Sequence, residues 1–134
     1  MKFFQFVLAI LSCHFFVANG QNPVKRLDEI RPAQLWTDTN GNPINAHGGG
    51  VIYFEGVYYW YGEHKLSGKT EATFADGGIH CYSSVDLINW KDEGIVLKVD
   101  YDNMKSDLAY GCILERPKVV FNQKNRQFVA FFKL

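Results

Sequence analysis

A strand, turn, strand pattern that occurs twice constrains this chain more than any other feature. Val51-Ile52-Tyr53-Phe54, then Glu55-Gly56, then Val57-Tyr58-Tyr59-Trp60-Tyr61 form the first copy. β-Branched and aromatic residues crowd both runs and a two-residue turn containing glycine separates them, which is the signature of a β-hairpin. Val57, Tyr59 and Tyr61 alternate with Tyr58 and Trp60, so both faces of the second strand are bulky and a sheet covered on both sides is expected. Lys118-Val119-Val120-Phe121, Asn122-Gln123-Lys124-Asn125-Arg126 and Gln127-Phe128-Val129-Ala130-Phe131-Phe132 repeat the pattern with a longer turn. Aligning Val51 with Val119 sets His47 opposite Glu115 and, once the longer turn is allowed for, Glu63 opposite Lys133.

Between the copies, Ile79-His80-Cys81-Tyr82-Ser83-Ser84 reads as a strand and Ser84 to Trp90 as a turn. Lys91-Asp92-Glu93-Gly94 reads as a further turn before the outer strand Ile95-Val96-Leu97, with residues 66–78 a polar loop and 98–110 a charged connection. Val24 to Ile30 allows one helical turn at most, and no segment after Gly20 sustains a 3.6-residue period. The expected class is all-β. Four short strands per unit, repeating at about 70 residues, suggest β-propeller blades. Propellers close with at least four, so about one and a half to two blades are present and the chain reads as part of something larger.

Met1-Lys2, the apolar run from Phe3 to Leu11 and the closing Ala18-Asn19-Gly20 have the layout of a secretory signal peptide. Ser12-Cys13-His14 interrupts the run too early for a membrane span. The expected organisation is a signal at 1–20, a lead-in at 21–37 and the first part of a propeller domain at 38–134, secreted or held in the periplasm or at the cell surface. The 14 Lys and Arg balance 14 Asp and Glu, a formal charge of +0 that argues against a nucleic-acid partner. Cleavage would remove Cys13 and leave Cys81 and Cys112, which permits one disulfide. The mid-strand position of Cys81 favours two buried thiols instead.

The innermost strand of each blade faces a common axis, so His47 and Glu115 are candidates for a shared funnel, with Glu63 and Lys133 at the ends of the following strands. Polar groups converging from successive blades suit a carbohydrate, and glycosidases act through two carboxyl groups flanking the scissile bond. Blander readings stand beside these: Glu115 as a surface partner of Arg116, Glu63 as a solvated strand end, His47 satisfying a backbone carbonyl, and the stripe from Tyr58 to Tyr61 as core. No Cys-x-x-Cys or His-x-x-x-His pair supports zinc. Asp38-Thr39-Asn40-Gly41-Asn42 lacks the later Glu of a calcium loop and reads as a turn. Gly48-Gly49-Gly50 has no Lys or helix after it, so close backbone packing explains it better than a phosphate loop does. No metal or cofactor is expected.

Four segments together carry a family resemblance. They are Asp38 to Gly50, Tyr58-Tyr59-Trp60-Tyr61-Gly62-Glu63, Tyr82 to Trp90, and Gly111-Cys112-Ile113-Leu114-Glu115-Arg116-Pro117-Lys118-Val119. In this order they closely resemble glycoside hydrolase family 43, in its exo-β-1,3-galactanase-like and related galactan-side-chain branches. The resemblance implies a five-bladed β-propeller that hydrolyses plant cell-wall polysaccharide of the galactan or arabinogalactan type by inversion. In most of the family an Asp on the first blade is the base, an Asp on the second tunes the acid, and a Glu on the third is the acid. Here Asn45-Ala46-His47 stands at the first position and Glu115 at the second, where the resemblance makes it the carboxylate that tunes and orients the acid. The third lies beyond Leu134, and Lys133 stands where close relatives usually have a His. His47, Glu63, Asn45, Tyr61 and Arg116 are the expected substrate contacts. The alternative function is a non-catalytic carbohydrate-binding propeller or pseudoenzyme.

Overall fold

The computed structural model describes residues 26–66 and 76–134. The signal-peptide reading of residues 1–20 lies outside them. Six strands run β1 (His47–Phe54), β2 (Val57–Lys65), β3 (Asp76–Ser84), β4 (Lys91–Lys98), β5 (Glu115–Asn122) and β6 (Gln127–Lys133). The first four form an antiparallel meander in chain order and the last two a separate hairpin. Among the described residues there is no helix, so none long and apolar enough to cross a membrane. The single helical turn expected near residue 30 is absent, and residues 26–30 only bend.

Local chemistry accounts for the hairpins. Glu55 and Gly56, with φ of 47° and 88°, close the β1–β2 turn with Phe54 opposite Val57, and positive φ at both central residues matches the twist of the flanking strands. The polar Lys91-Asp92-Glu93-Gly94 is strand rather than the expected turn, because Tyr82 pairs with Asp92 and Cys81 with Gly94 across an extra residue. Glu93 then reaches the Ser83 hydroxyl at 2.7 Å, so its polarity is spent on the neighbouring strand. Strand β3 likewise begins at Asp76, inside the segment read as loop.

The two faces of β2 are covered by different partners. Tyr58 and Trp60 pack with Trp36, Ile44, Ala46, Tyr82 and Trp90, and the rings of Trp36, Trp60 and Trp90 lie 5.3–6.4 Å apart between centroids. The turn from Ser84 to Trp90 is closed by Asp86, whose Oδ1 accepts the Ile88 and Asn89 N–H groups at 2.9 and 2.7 Å. These hydrogen bonds hold the Asp86 carboxyl well below the usual carboxylate range. Asp38, 2% exposed, closes the turn predicted at 38–42 by accepting the Asn40 and Asn42 N–H groups, each at 2.8 Å. On the opposite face, Tyr61 and Ile79 meet Val119, Phe128, Ala130 and Phe132 of the second hairpin around an apolar cavity. Phe54 joins Phe121 and Phe128 at 4.4 and 5.0 Å and fixes the far end of this contact.

Gly49 shows how closely β1 and β2 approach. A Cβ there would lie 1.6 Å from the Tyr61 carbonyl oxygen, so only glycine fits. The glycine run is therefore a packing device, as its sequence context suggested.

Candidate active site

The site is built on a backbone irregularity that occurs in both hairpins. In β1–β2, His47 faces Glu63 and the next pair is Gly50 with Tyr61, three residues against two. In β5–β6, Glu115 faces Lys133 and the next pair is Lys118 with Phe131, with the same count. The residue after each first pair is left-handed, Gly48 at φ 57° and Arg116 at φ 51°. The sequence alignment of His47 with Glu115, and of Glu63 with Lys133, thus corresponds to equivalent places on two copies of one β-bulge. For Arg116 that conformation costs about 1–2 kcal/mol in a residue with a Cβ.

Glu63 locks the two bulges together. Its residue is 6% exposed; Oε1 accepts the Arg116 N–H at 2.7 Å and Oε2 receives the Lys65 ammonium at 2.7 Å. Oε1 also fills the space over Gly48, where a Cβ would meet it at 2.8 Å. The Lys118 ammonium crosses between the hairpins and donates to the Gly48 and Gly49 carbonyls. Glu63 is therefore a buried, doubly bonded carboxylate and not a solvated strand end.

Glu115 lies next to Arg116 and is more open. Its partner is Lys133, at 3.1 Å, rather than the adjacent Arg116. The hydrogen bond and charge of Lys133 hold the Glu115 carboxyl below the ordinary range, with smaller contributions from Arg116 and Lys65. Lys65, the partner of Glu63, thus also bears on Glu115.

The remaining expected residues divide into those the fold brings here and one it does not. His47 is exposed at the start of β1, opposite Glu63. Asn45 turns its amide onto the Lys65 backbone, Nδ2 donating to the carbonyl and Oδ1 accepting the N–H, both at 2.9 Å. Arg116 acts here through its backbone N–H, while its side chain is exposed. Tyr61, expected at the sugar, lines the apolar cavity between the sheets, because alternation along β2 points it at β6. Its hydroxyl bonds the Cys81 thiol, and burial pushes its pKa above the ordinary value.

Lys65 escaped the sequence reading, although its place two residues after Glu63 on one strand face was a usable signal. Cys81 and Cys112 are not joined by a disulfide, and burial pushes the Cys81 thiol up to about 11 despite a hydrogen bond from Tyr61. Among the described residues, no three His, Cys, Asp or Glu side chains converge as metal ligands.

Two carboxylates, each paired with an ammonium group, stand on the equivalent bulges of the two hairpins, a polar arrangement suited to a sugar. No protein-family model and no curated protein sequence matches the chain. Solved structures do. A family 43 β-1,3-galactosidase with galactodeoxynojirimycin is 50% identical with a TM-score of 0.68, over 75% of this chain and 28% of that one. An exo-β-1,3-galactanase from Phanerochaete chrysosporium with galactose is 36% identical, TM-score 0.65, over 75% of this chain and 22% of that one. An exo-β-1,3-galactanase from Clostridium thermocellum is 38% identical, TM-score 0.62, over 75% and 20%. The chain thus spans under a third of the length of these relatives, and at 36–50% identity over 75% of its own length it belongs to glycoside hydrolase family 43.

Proposed function

We propose that the chain is the N-terminal part of a secreted glycoside hydrolase, a five-bladed β-propeller that cleaves galactan or arabinogalactan side chains with inversion. Residues 1–20 serve as the export signal, 21–37 as the lead-in, and 38–134 as the first blades. The observation that supports the reading is the bulge repeated in two consecutive units, with Glu63 of the first hydrogen-bonded to the Arg116 N–H next to Glu115 of the second.

In this reading Glu115 tunes the acid and does not itself donate the proton. A carboxyl held low by Lys133 stays ionised at neutral pH, and its negative charge favours the protonated form of a nearby carboxylic acid. That is what a general acid contributed by a later blade needs. Inversion also requires the acid and the water-activating group to stand roughly 6.5–9.5 Å apart. Glu63 accepts a sugar hydroxyl, His47 and the Arg116 guanidinium reach the sugar from the exposed rim, and Asn45 holds the Lys65 backbone that presents its ammonium to Glu63.

The test is made in a longer protein carrying this segment, assayed on β-1,3-galactan. Glu115→Gln should lower kcat by about a hundredfold or more while leaving KM within a few-fold, since the residue acts on the transition state. Unchanged turnover would reassign Glu115 to packing. Galactan binding without turnover in the unsubstituted protein would establish the carbohydrate-binding reading instead.

A further inference from the structure

A second polar array lies behind the Glu63 corner, and none of its members has a role in the site described above. The His80 side chain, 8% exposed, places Nε2 at 2.7 Å from Asp92 Oδ1. The same oxygen takes the Gly94 N–H at 2.7 Å, so it is an acceptor and the His80 Nε2 carries the proton. The other ring nitrogen of His80, Nδ1, points away from Asp92 toward β2 and Tyr82. Two groups reach it, His64 Nδ1 at 2.9 Å and the Tyr82 hydroxyl at 3.3 Å. Tyr82 is 2% exposed and its ring is stacked on His80 with centroids 4.4 Å apart. The Tyr82 hydroxyl oxygen accepts the Asn45 N–H at 3.1 Å.

From Asn45 the chain of bonds continues without a gap. The Asn45 amide clamps the Lys65 backbone from both sides, Lys65 Nζ holds Glu63 Oε2, and Glu63 Oε1 holds the Arg116 N–H. The series begins at Asp92 on the edge strand β4 and runs through hydrogen bonds and the Asn45 and Lys65 side chains to the second bulge.

We propose that Asp92, His80 and Tyr82 are positioning residues: they fix the Asn45–Lys65 corner, and through it the ammonium that holds Glu63 against the second bulge. What the corner serves rests on the proposed sugar site; the relay itself does not. Deleting the Tyr82 hydroxyl leaves the stacked ring in place but strands a buried N–H on Asn45. The disturbance should then appear two links further on, where no atom of Tyr82 reaches.

Amide hydrogen exchange of the 134-residue chain, resolved by NMR, reads this directly. In Tyr82→Phe the Asn45, Lys65 and Arg116 amides should each exchange about tenfold faster, the factor one lost hydrogen bond allows, while the β5–β6 amides from Lys118 onward keep their rates. An equal acceleration everywhere, or acceleration confined to Asn45, would overturn the relay. Asp92 lies on an edge strand with its side chain 35% exposed, so its variants should fold even if Tyr82→Phe does not. Asp92→Leu should lose the Nε2-protonated His80 signature in the 15N spectrum and loosen the same three amides, and Asp92→Asn, whose amide oxygen still accepts, should restore both. Failure of Asn to restore them would also refute the proposal. A galactose titration of the unsubstituted chain is read separately. Absence of shifts at Glu63 counts against the sugar site, while the exchange pattern alone decides the relay.

Discussion

Breaking the Glu63–Lys65 pair should cost more than a surface ion pair and less than a fully buried one. At 2.7 Å and an effective dielectric of about 20, the gross attraction is on the order of 6 kcal/mol, most of it offset by taking the carboxylate out of water. The side chains are 8% and 29% exposed, between the surface case of ~0–1 kcal/mol and the buried case of ~3–5 kcal/mol. Glu63→Gln keeps an oxygen for the Arg116 N–H but removes its charge, which costs about 1 kcal/mol, and it turns an NH2 toward the Lys65 ammonium. The sum is a loss of about 2–3 kcal/mol. Lys65→Met in the Glu63→Gln background removes the misplaced ammonium, so the double variant should be more stable than the two single losses predict, by about 1–2 kcal/mol. Urea unfolding, followed by the fluorescence of the packed Trp36, Trp60 and Trp90 at low protein concentration, supplies the four free energies of the cycle. A coupling below about 0.3 kcal/mol would show that the pair is solvated and that Lys65 does not hold the site carboxylate.

Three further outcomes follow from the same geometry. Gly49→Ala forces a Cβ to 1.6 Å from a carbonyl oxygen, so the β1–β2 ladder must part at the bulge and the chain should lose several kcal/mol of stability; an urea midpoint unchanged from that of the parent would contradict the close approach. Glu115 should titrate below the ordinary Glu value of about 4.3, so the stabilisation from its ionised form is present above that value and is lost as pH falls through the lower folded one. Lys133→Met should move the carboxyl midpoint upward in a 13C NMR titration, and an unmoved midpoint would remove Lys133 as the cause. The Cys81 thiol, buried and raised to about 11, should resist alkylation at neutral pH until the chain is unfolded without reductant, and a folded chain that labels at Cys81 as fast as a free thiol would contradict its burial.

The hairpins were legible because each is a local pattern, alternating bulky residues joined by a short turn, and the repeat extended that legibility to the equivalence of His47 with Glu115. What escaped was decided by contacts between strands. Lys91-Asp92-Glu93-Gly94 has the composition of a turn, yet Asp92 and Glu93 are satisfied across the sheet by His80 and Ser83, which lets a polar run continue as an edge strand. The surroundings of Tyr61 escaped for a related reason. Its position beside Glu63 is visible in the chain, but the arrival of β6 over that face depends on how the second hairpin packs. His80 read as one more strand residue, since nothing local marks a histidine whose partners come from β2, β4 and its own strand.

Backbone geometry repeats between the two units while chemistry does not. The first position of the bulge carries His47 and then Glu115, and the facing position carries Glu63 and then Lys133. Acid and base therefore exchange places from one unit to the next. Each carboxylate gains an ammonium of its own, Lys65 for Glu63 and Lys133 for Glu115, so each is paired where it stands. An anionic ligand would meet those carboxylates and gain little from lysines already engaged. A neutral polyol meets acceptors for its hydroxyl protons without like-charge repulsion, the chemistry on which the proposed galactan site rests.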